Sequence, residues 1–438
     1  MNMLRLILLV FILIAFPSCN SNAQNSGILT KEQLIEDLRQ LKKILESDHP
    51  QLYRFTSEEE FDTLYNLAEE SFYYSMDIVE AFKHFGRIVG AVGCGHTRIS
   101  MPDGFWESNP DGYLPMEVMI ADNKVLVMRI LSENSEIEVG AELLEINSTP
   151  IIEVVEQLRR YSTGDGLWNS RRDFMAGKYF AYRIAAFKGF PGEYSIVFRN
   201  PRSQRTSQEV IKSVQSYKID NPDAPGKHFE WRTDLPENTS CLAIRTFGYY
   251  DDVDGFRGTI DKAFTEINAA GSKNLILDLR GNSGGDPHCS THLMSYIIAE
   301  PIPYFGKKFF GYQAYADPLP VFKDSFRGKI FVLIDGGCFS TTGHLTSLLK
   351  YHKFATFIGE ETGGTCTCND ASREFTLKNT GFKGMVARRT FYTAVEGMSW
   401  AEGVQPDYKV YPKAIDIING NDTVLDFAIK LIKDQIDK

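Results

Sequence analysis

The sequence predicts an α/β protein whose carboxyl-terminal half forms the main sheet, preceded by a helical region and a small β-rich module. Three observations support this prediction. Apolar residues recur at helical spacing between about residues 30 and 90. Short strand-like runs and a Gly-led turn follow between about 112 and 160, and from residue 240 onward apolar strands alternate with helices. Because 438 residues are many for one hydrophobic core, we expect several domains.

The overall composition excludes two classes of protein. With 43% hydrophobic and 24% charged residues, the chain can form packed cores, which argues against a disordered protein. The net charge is -10, and the basic residues form no stripe, so a phosphate backbone would be repelled. Nucleic acid is therefore not an expected partner.

The first nineteen residues are predicted to be a secretory signal. Arg5 precedes an apolar run from Leu6 to Phe16, which is shorter than the roughly twenty residues needed to span a bilayer. Cys19 follows directly and resembles the lipidation cysteine of bacterial lipoproteins. Ala23-Gln24 is an alternative site for ordinary signal cleavage. We expect an exported protein of the bacterial cell envelope (periplasm or outer membrane), with membrane contact only through lipidated Cys19.

Residues 28–100 are expected to form a helical N-terminal region. Thr30 with Gln33, and Ser57 with Glu60, each have the spacing of a capping box at a helix start. The apolar residues that follow each cap recur at helical spacing, which is typical of a face packed into a core.

Residues 110–162 are expected to form a separate module of the PDZ type. Two strand-like runs, a Gly-led turn, an apolar strand and a helix suit a module that adds an extended peptide to a sheet edge. These elements are predicted at 114–120, 124–130, 140–151 and 153–160. Residues 163–235 carry no pattern that indicates chemistry and are expected to be a β-rich linking segment.

Residues 236–438 are expected to form the α/β domain, in which two loops stand out. The first, Gly281 to Asp286, follows an apolar strand and contains Gly284 and Gly285. Glycines after a strand let bare amide groups approach a ligand, as they do when an oxyanion is bound. A plain glycine-rich turn is the alternative interpretation.

The second loop runs from Asp335 to Ser340 and enters a helix at Thr341. A serine at a strand-to-helix turn lies where free amides and the helix dipole can stabilise negative charge. The alternative is that Ser340 only caps the helix.

Taken together, these motifs resemble the carboxyl-terminal-processing (tail-specific) serine peptidases, in the histidine-using branch that includes the tricorn core. The resemblance rests on motifs in the family's order: His49-Pro-Gln-Leu-Tyr53, Gly95-His96-Thr97, Asp278-Leu-Arg-Gly-Asn-Ser-Gly-Gly285, the Ser340 loop, Gly359-Glu-Glu-Thr-Gly-Gly364 and Gly403-Val-Gln-Pro-Asp407. It implies a crotonase-like (ClpP/crotonase) catalytic core, an inserted PDZ-like module and a helical N-terminal region.

The resemblance also implies roles for individual residues. Ser340 is the expected nucleophile. Members with a Ser-Lys dyad carry a lysine in the loop that matches 359–368, where this chain has Thr365 and no lysine, so the resemblance implies His96 as the base.

The oxyanion is expected on the amides of Gly284, Gly285 and Thr341. A supporting carboxylate is expected near the last motif. Trp400 stands at the family's glutamate position, so Glu402 is the candidate and Glu396 the alternative. His344, His288 and His292 are competing histidines.

The predicted function is hydrolysis of polypeptides through an acyl-enzyme on Ser340, without a metal or organic cofactor. The first alternative is an inactive relative that binds peptides or lipophilic ligands, and the second is an esterase or amidase. Cys366 and Cys368 are too close together for the usual zinc pattern. Disulfide pairing and oligomeric state stay open.

Overall fold

A computed structural model describes residues 28–221 and 226–436 of the chain. The predicted signal and Cys19 lie outside these residues. Within the described ranges, no helix is both long and apolar enough to cross a membrane. The six cysteines of these ranges are all free and buried.

The N-terminal region is built from three helices and three short strands. These are β1 (Ile28–Leu29), α1 (Lys31–Asp48), α2 (Glu58–Ser71), β2 (Met76–Asp77), α3 (Ile78–Ala91) and β3 (Arg98–Ser100). Thr30 and Ser57 each form the expected capping box, because the side chain and backbone of each cap exchange hydrogen bonds with the third helical residue. The apolar faces of the helices share one core.

The β-rich module is larger than the sequence predicts. Its elements are β4 (Met116–Ala121), β5 (Lys124–Ile130), β6 (Glu142–Ile146), β7 (Thr149–Pro150), α4 (Ile151–Arg160), α5 (Asn169–Lys178), α6 (Phe180–Phe187), β8 (Glu193–Arg199) and β9 (Thr206–Lys212). The sheet order is β4-β5-β6-β8-β9, with β8 antiparallel to β6. The expected boundary at residue 162 therefore falls inside this module, and 163–235 is not a β-rich linking segment.

The carboxyl-terminal part is the predicted α/β domain. Its elements are β10 (Phe229–Leu235), β11 (Thr239–Ile244), α7 (Val253–Ala269), β12 (Asn274–Asp278), α8 (Pro287–Ser295), β13 (Lys329–Ile334), α9 (Thr341–Tyr351), β14 (Thr356–Gly359), β15 (Thr367–Asp370), β16 (Arg373–Thr376), β17 (Lys383–Val386), β18 (Arg389–Tyr392), β19 (Tyr408–Lys409), α10 (Ala414–Ile418) and α11 (Thr423–Ile436). The main sheet has the order β10-β11-β12-β13-β14-β19. It is parallel except for the β10–β11 pair.

Helices cover both faces of this sheet, as the alternation of strands and helices predicts. Residues of α7, α8 and α9 contribute to the larger core, and α11 packs on the other face. Because β12 and β13 are adjacent and parallel, the loops at their carboxyl ends meet at one edge of the sheet.

A small second sheet joins the N-terminal region to the α/β domain. In it β3 pairs with β17, which pairs with β16. The segment immediately before β3 is thereby held against the edge where the two loops meet.

Candidate active site

Ser340 lies at a strained turn between β13 and α9. Its φ of 56° and ψ of -125° are unfavourable for a residue with a side chain, and such strain often marks a functional position. The side chain makes no capping hydrogen bond to α9, so the helix-cap interpretation does not hold. Instead, Ser340 Oγ lies 3.0 Å from His96 Nε2.

Asn282 holds the two loops together. Its Oδ1 accepts hydrogen bonds from the Gly284 amide at 2.9 Å and from Thr342 Oγ1 at 2.8 Å. Its Nδ2 donates to the carbonyl of Ile244 at 3.1 Å, and its own carbonyl accepts from the Phe339 amide at 3.1 Å. Because Asn282 is fully buried, both loops depend on one side chain that the sequence did not single out.

The glycine loop packs directly on the nucleophile. A Cβ atom on Gly284 would lie 2.8 Å from Ser340 Cβ and from the Thr341 nitrogen, so only glycine fits. The Gly284 amide is committed to Asn282, which corrects its expected role as an oxyanion donor. The amides of Gly285 and Thr341 have no acceptor among the described residues, and Thr341 Oγ1 donates to the Gly285 carbonyl at 2.5 Å. These two amides remain available to an oxyanion.

His96 reaches Ser340 because its loop is fixed to the α/β domain. A Cβ atom on Gly95 would lie 2.3 Å from the Phe339 ring, so glycine allows that ring to pack 4.8 Å from the His96 imidazole. Thr97 Oγ1 accepts from the Ala387 amide at 3.1 Å, and Ser372 Oγ donates to the His96 carbonyl at 3.3 Å. The Gly-His-Thr motif is thus a packed, hydrogen-bonded turn.

Asp165 is the buried carboxylate beside His96, and the sequence analysis missed it. Its Oδ1 accepts from the Gly95 amide at 3.0 Å, while its Oδ2 has no partner. The Nδ1 atom of His96 is also buried without a partner. Burial raises the pKa of Asp165, and the nearby His96 opposes that rise. The signal that the sequence offers is an aspartate between two glycines, Gly164 and Gly166. In the structure, the Gly166 amide donates to the Gly93 carbonyl at 2.8 Å, which holds this segment next to the His96 loop.

Glu402 and Glu396, the carboxylates expected to support His96, lie away from His96 and Ser340. Glu402 is exposed, forms no hydrogen bond or ion pair with His96 or Ser340 in the described part of the chain, and lies near the like charge of Glu361. Glu396 is exposed as well. Asp370 Oδ2 lies 3.6 Å from His96 Nε2, which is the nitrogen that already faces Ser340. Asp165 therefore replaces Glu402 as the candidate supporting carboxylate.

The three competing histidines do not contact the Ser340 hydroxyl: His288 and His292 pair with carboxylates, and both ring nitrogens of His344 are buried without a partner. His288 Nδ1 lies 2.7 Å from Asp286, and His292 Nε2 lies 2.6 Å from Asp261. His344 is buried beside aromatic rings, and burial lowers its pKa to about 3. In the described part of the chain, none of the three imidazole rings hydrogen-bonds to Ser340 Oγ; the bond from the His344 backbone amide to the Ser340 carbonyl, at 3.0 Å, belongs to the first turn of α9.

The residues around His96 also have to be considered as a possible metal site. Within residues 28–221 and 226–436, one group of three metal-ligating side chains is close enough to share an ion: Cys94, His96 and Asp165, with donor atoms within 4.8 Å of one another. Burial raises the pKa of the Cys94 thiol to about 12. Because a metal binds the thiolate, binding here would require removing that proton. The expectation of a metal-free site stays a prediction.

A strained serine at the carboxyl edge of a parallel sheet, paired with a histidine and next to two free amides, defines the class of serine hydrolases. Comparison with known proteins narrows this class. Residues 238–410 match peptidase family S41, and residues 111–222 match the PDZ domain. The chain therefore contains a domain of peptidase family S41, the serine peptidases of the carboxyl-terminal-processing type, together with a PDZ domain.

Solved structures share this fold. Mature CPAF is 14% identical with a TM-score of 0.65, and the match covers 89% of this chain and 94% of that one. CPAF complexed with lactacystin is 15% identical with a TM-score of 0.66, covering 93% and 98%. A putative peptidase from Parabacteroides merdae is 14% identical with a TM-score of 0.50, covering 91% and 96%. No curated protein matches the chain by sequence. The PDZ match extends to residue 222, in agreement with the strand pairing.

Proposed function

We propose that this protein is an exported serine peptidase in which Ser340 is the nucleophile and His96 is the general base. The observation that carries the proposal is the 3.0 Å contact between Ser340 Oγ and His96 Nε2 at a strained turn. Nucleophile and base within hydrogen-bond distance are the mark of an activated serine. The absence of a lysine between Lys353 and Lys378 supports a histidine rather than a lysine base.

The proposed reaction has two stages. Ser340 Oγ bonds to the carbonyl carbon of the substrate as its proton moves to His96 Nε2, and the oxyanion accepts hydrogen bonds from the amides of Gly285 and Thr341. Cleavage of the C–N bond takes the proton from His96 to the leaving amine. Water then attacks the acyl-enzyme, gives a proton to His96, and releases the acid with the Ser340 hydroxyl restored.

Asp165 is proposed to orient His96 and to stabilise its cationic form. Asp165 Oδ2 and His96 Nδ1 are both buried and unpaired, and the two side chains lie within 4.8 Å. A buried unpaired acceptor next to a buried unpaired donor gains free energy when the two bond. Such a bond would fix the tautomer that leaves Nε2 free to take the Ser340 proton.

Labelling with a fluorophosphonate, combined with cleavage of a peptide library, tests the proposal. We expect wild-type protein to be labelled and to cleave peptides, and Ser340→Ala to do neither. Ser347→Ala is the matched control, because Ser347 is a buried serine of the same helix whose hydroxyl has no partner. Labelling that persists in Ser340→Ala, or wild-type protein that is not labelled, would overturn the assignment. Labelling with hydrolysis of esters but not of peptides would identify an esterase.

Export and lipidation at Cys19 are also part of the proposal. They are supported by the short apolar run after Arg5 and the cysteine that follows it.

A further inference from the structure

The mechanism above leaves one sequence motif unused: His49-Pro-Gln-Leu-Tyr53, which leads directly into Arg54. His49 ends α1, and its amide donates to the Leu45 carbonyl at 3.1 Å. Its Nδ1 accepts from the Gln51 amide at 3.3 Å. Burial lowers the pKa of His49 to about 4, so the ring is neutral and free to accept this bond. The motif therefore forms a fixed turn that sets the position of Arg54.

Arg54 lines a pocket of about 370 Å³. Its lining includes Gln51, Cys366, Thr367, Tyr392 and Trp400. Arg54 is the one cation among the residues that line this pocket, and none of them is acidic. The size is at the lower end of the roughly 300–1,000 Å³ typical of ligand sites.

The Arg54 guanidinium is held in place without a carboxylate bonded to it, although the buried Asp165 carboxylate acts on it electrostatically from a distance. It lies 4.3 Å from the Trp400 ring and 5.0 Å from the Phe55 ring. It donates to Gln51 Oε1 at 3.2 Å and to the Trp400 carbonyl at 3.3 Å, which uses two of its five N–H groups. No carboxylate of the described residues lies within 4.0 Å of it. A half-buried, oriented and unpaired guanidinium is suited to receive an anion.

The pocket lies next to the catalytic loops. Cys366 and Thr367 form part of its wall, and Gly364 packs so closely on the Ser340 amide that a Cβ atom there would lie 3.0 Å from that nitrogen. Two residues of extended chain span at most about 7 Å, so this wall lies within about three extended substrate residues of the nucleophile. Arg54 also acts electrostatically on Asp165.

We propose that this pocket is a substrate subsite in which Arg54 binds a carboxylate of the peptide being cleaved. The carboxylate belongs either to an Asp or Glu side chain near the scissile bond or to the free carboxyl terminus. A planar guanidinium binds either group through paired N–H bonds. The inference rests on the proposed peptidase function and names the substrate class for the same site.

Two peptide series on the full-length protein test the subsite. In one series, Glu at each position around the scissile bond is compared with Gln. In the other, peptides with a free carboxyl terminus are compared with their amides. We expect wild-type kcat/KM to favour the carboxylate about tenfold or more in one series, in keeping with charge-assisted hydrogen bonds. We expect Arg54→Gln to abolish the preference and Arg54→Lys to keep part of it.

Lys307 provides the matched control. It is exposed and lies 4.4 Å from the ring of Tyr392, so it is the competing cation near the pocket. Lys307→Gln should retain the carboxylate preference. Loss of the preference in Lys307→Gln, with the preference kept in Arg54→Gln, would overturn the role of Arg54. If wild-type protein cleaves the acidic and the neutral peptide of every pair with the same kcat/KM, the proposed subsite is wrong, while the peptidase function stands.

A measurement without substitutions covers the case in which Arg54 variants do not fold. Glutarate should inhibit peptide cleavage by the wild-type protein competitively, and its diamide should inhibit at least tenfold more weakly. Equal inhibition by the two compounds would count against a carboxylate subsite. Absence of fluorophosphonate labelling would instead indicate failure of the proposed function itself.

Discussion

At the scale of single residues, the proposed proton path depends on Asp165, which has no motif to mark it. Replacing Asp165 by Asn removes the negative charge next to His96 and permits the unproductive imidazole tautomer. We expect kcat to fall by about 10²- to 10⁴-fold with a smaller change in KM. Asp165→Glu should recover part of the rate, and steady-state kinetics over a range of pH should show a changed profile for Asp165→Asn.

Glu402→Gln is the control for this prediction. It removes the carboxylate that the family resemblance favours, but that side chain is exposed and away from His96. We expect unchanged kinetics. A loss in Glu402→Gln as large as that in Asp165→Asn would return the supporting role to the expected position.

Replacing Asn282, the buried residue that bonds the two loops together, should affect both stability and reactivity. In Asn282→Ala the Gly284 amide and the Thr342 hydroxyl lose their buried acceptor. We expect a loss of about 1–3 kcal/mol in the free energy of unfolding, measured with urea, and slower fluorophosphonate labelling. Asn268→Ala is the control: its side-chain amide also donates a hydrogen bond, to the Asp324 carbonyl at 2.8 Å, but at an exposed position of α7, so we expect normal labelling and little change in the free energy of unfolding. Normal labelling by Asn282→Ala would show that the loops do not need this side chain.

At the scale of elements, a partly buried acid, Glu360, directly follows β14. Burial raises its pKa from 4.5 to about 8, and the charges of Asp335 and Asp173 add to the rise. Since the folded state holds this proton more tightly than the unfolded state, stability decreases as pH rises from about 4.5 to about 8.

Glu360→Gln should remove this pH dependence, because the amide does not ionise. We expect the variant to be more stable than the wild type at pH 8 by up to a few kcal/mol, and the difference to vanish near pH 5. Urea unfolding at several pH values measures it, with the exposed Glu374→Gln as control. Parallel stability curves for wild type and Glu360→Gln would contradict the prediction.

Elements with local signals could be predicted from the sequence, and those that depend on distant pairing could not. The helices that begin at Thr30 and Ser57 were predicted because each cap lies within four residues of its partner. The end of the β-rich module was misplaced because β8 pairs with β6 across two intervening helices. In the same way, motifs mark Ser340 and His96, whereas the place of Asp165 follows only from the folded chain.

At the scale of the whole molecule, the candidate site draws on all three regions. His96 comes from the N-terminal region, Asp165 from the segment after α4, and Ser340 from the α/β domain. Arg171 of α5 donates to the Gly337 carbonyl at 3.4 Å and packs 4.3 Å from the Phe339 ring. The β-rich module is therefore anchored to the loop that carries the nucleophile.

The location of the whole molecule is predicted from its first nineteen residues. If Cys19 is lipidated, Cys19→Ser should release the protein from the membrane fraction and leave peptide cleavage unchanged. Cell fractionation followed by an activity assay measures both effects. Wild-type protein found only in the soluble exported fraction, and cleaved near Gln24, would rule out the anchor.

The pairing of β3 with β17 has a consequence for the newly made chain. Ser340 and His96 are 244 residues apart, and the strand that follows His96 pairs with residues 383–385, beyond the nucleophile. While the chain emerges, the histidine therefore has no partner strand until most of the molecule is available. An unfinished or unfolded chain would therefore not bring His96 to Ser340 and would not cleave other proteins. The order of the segments would delay activity until folding is complete, as a removable propeptide does in other peptidases.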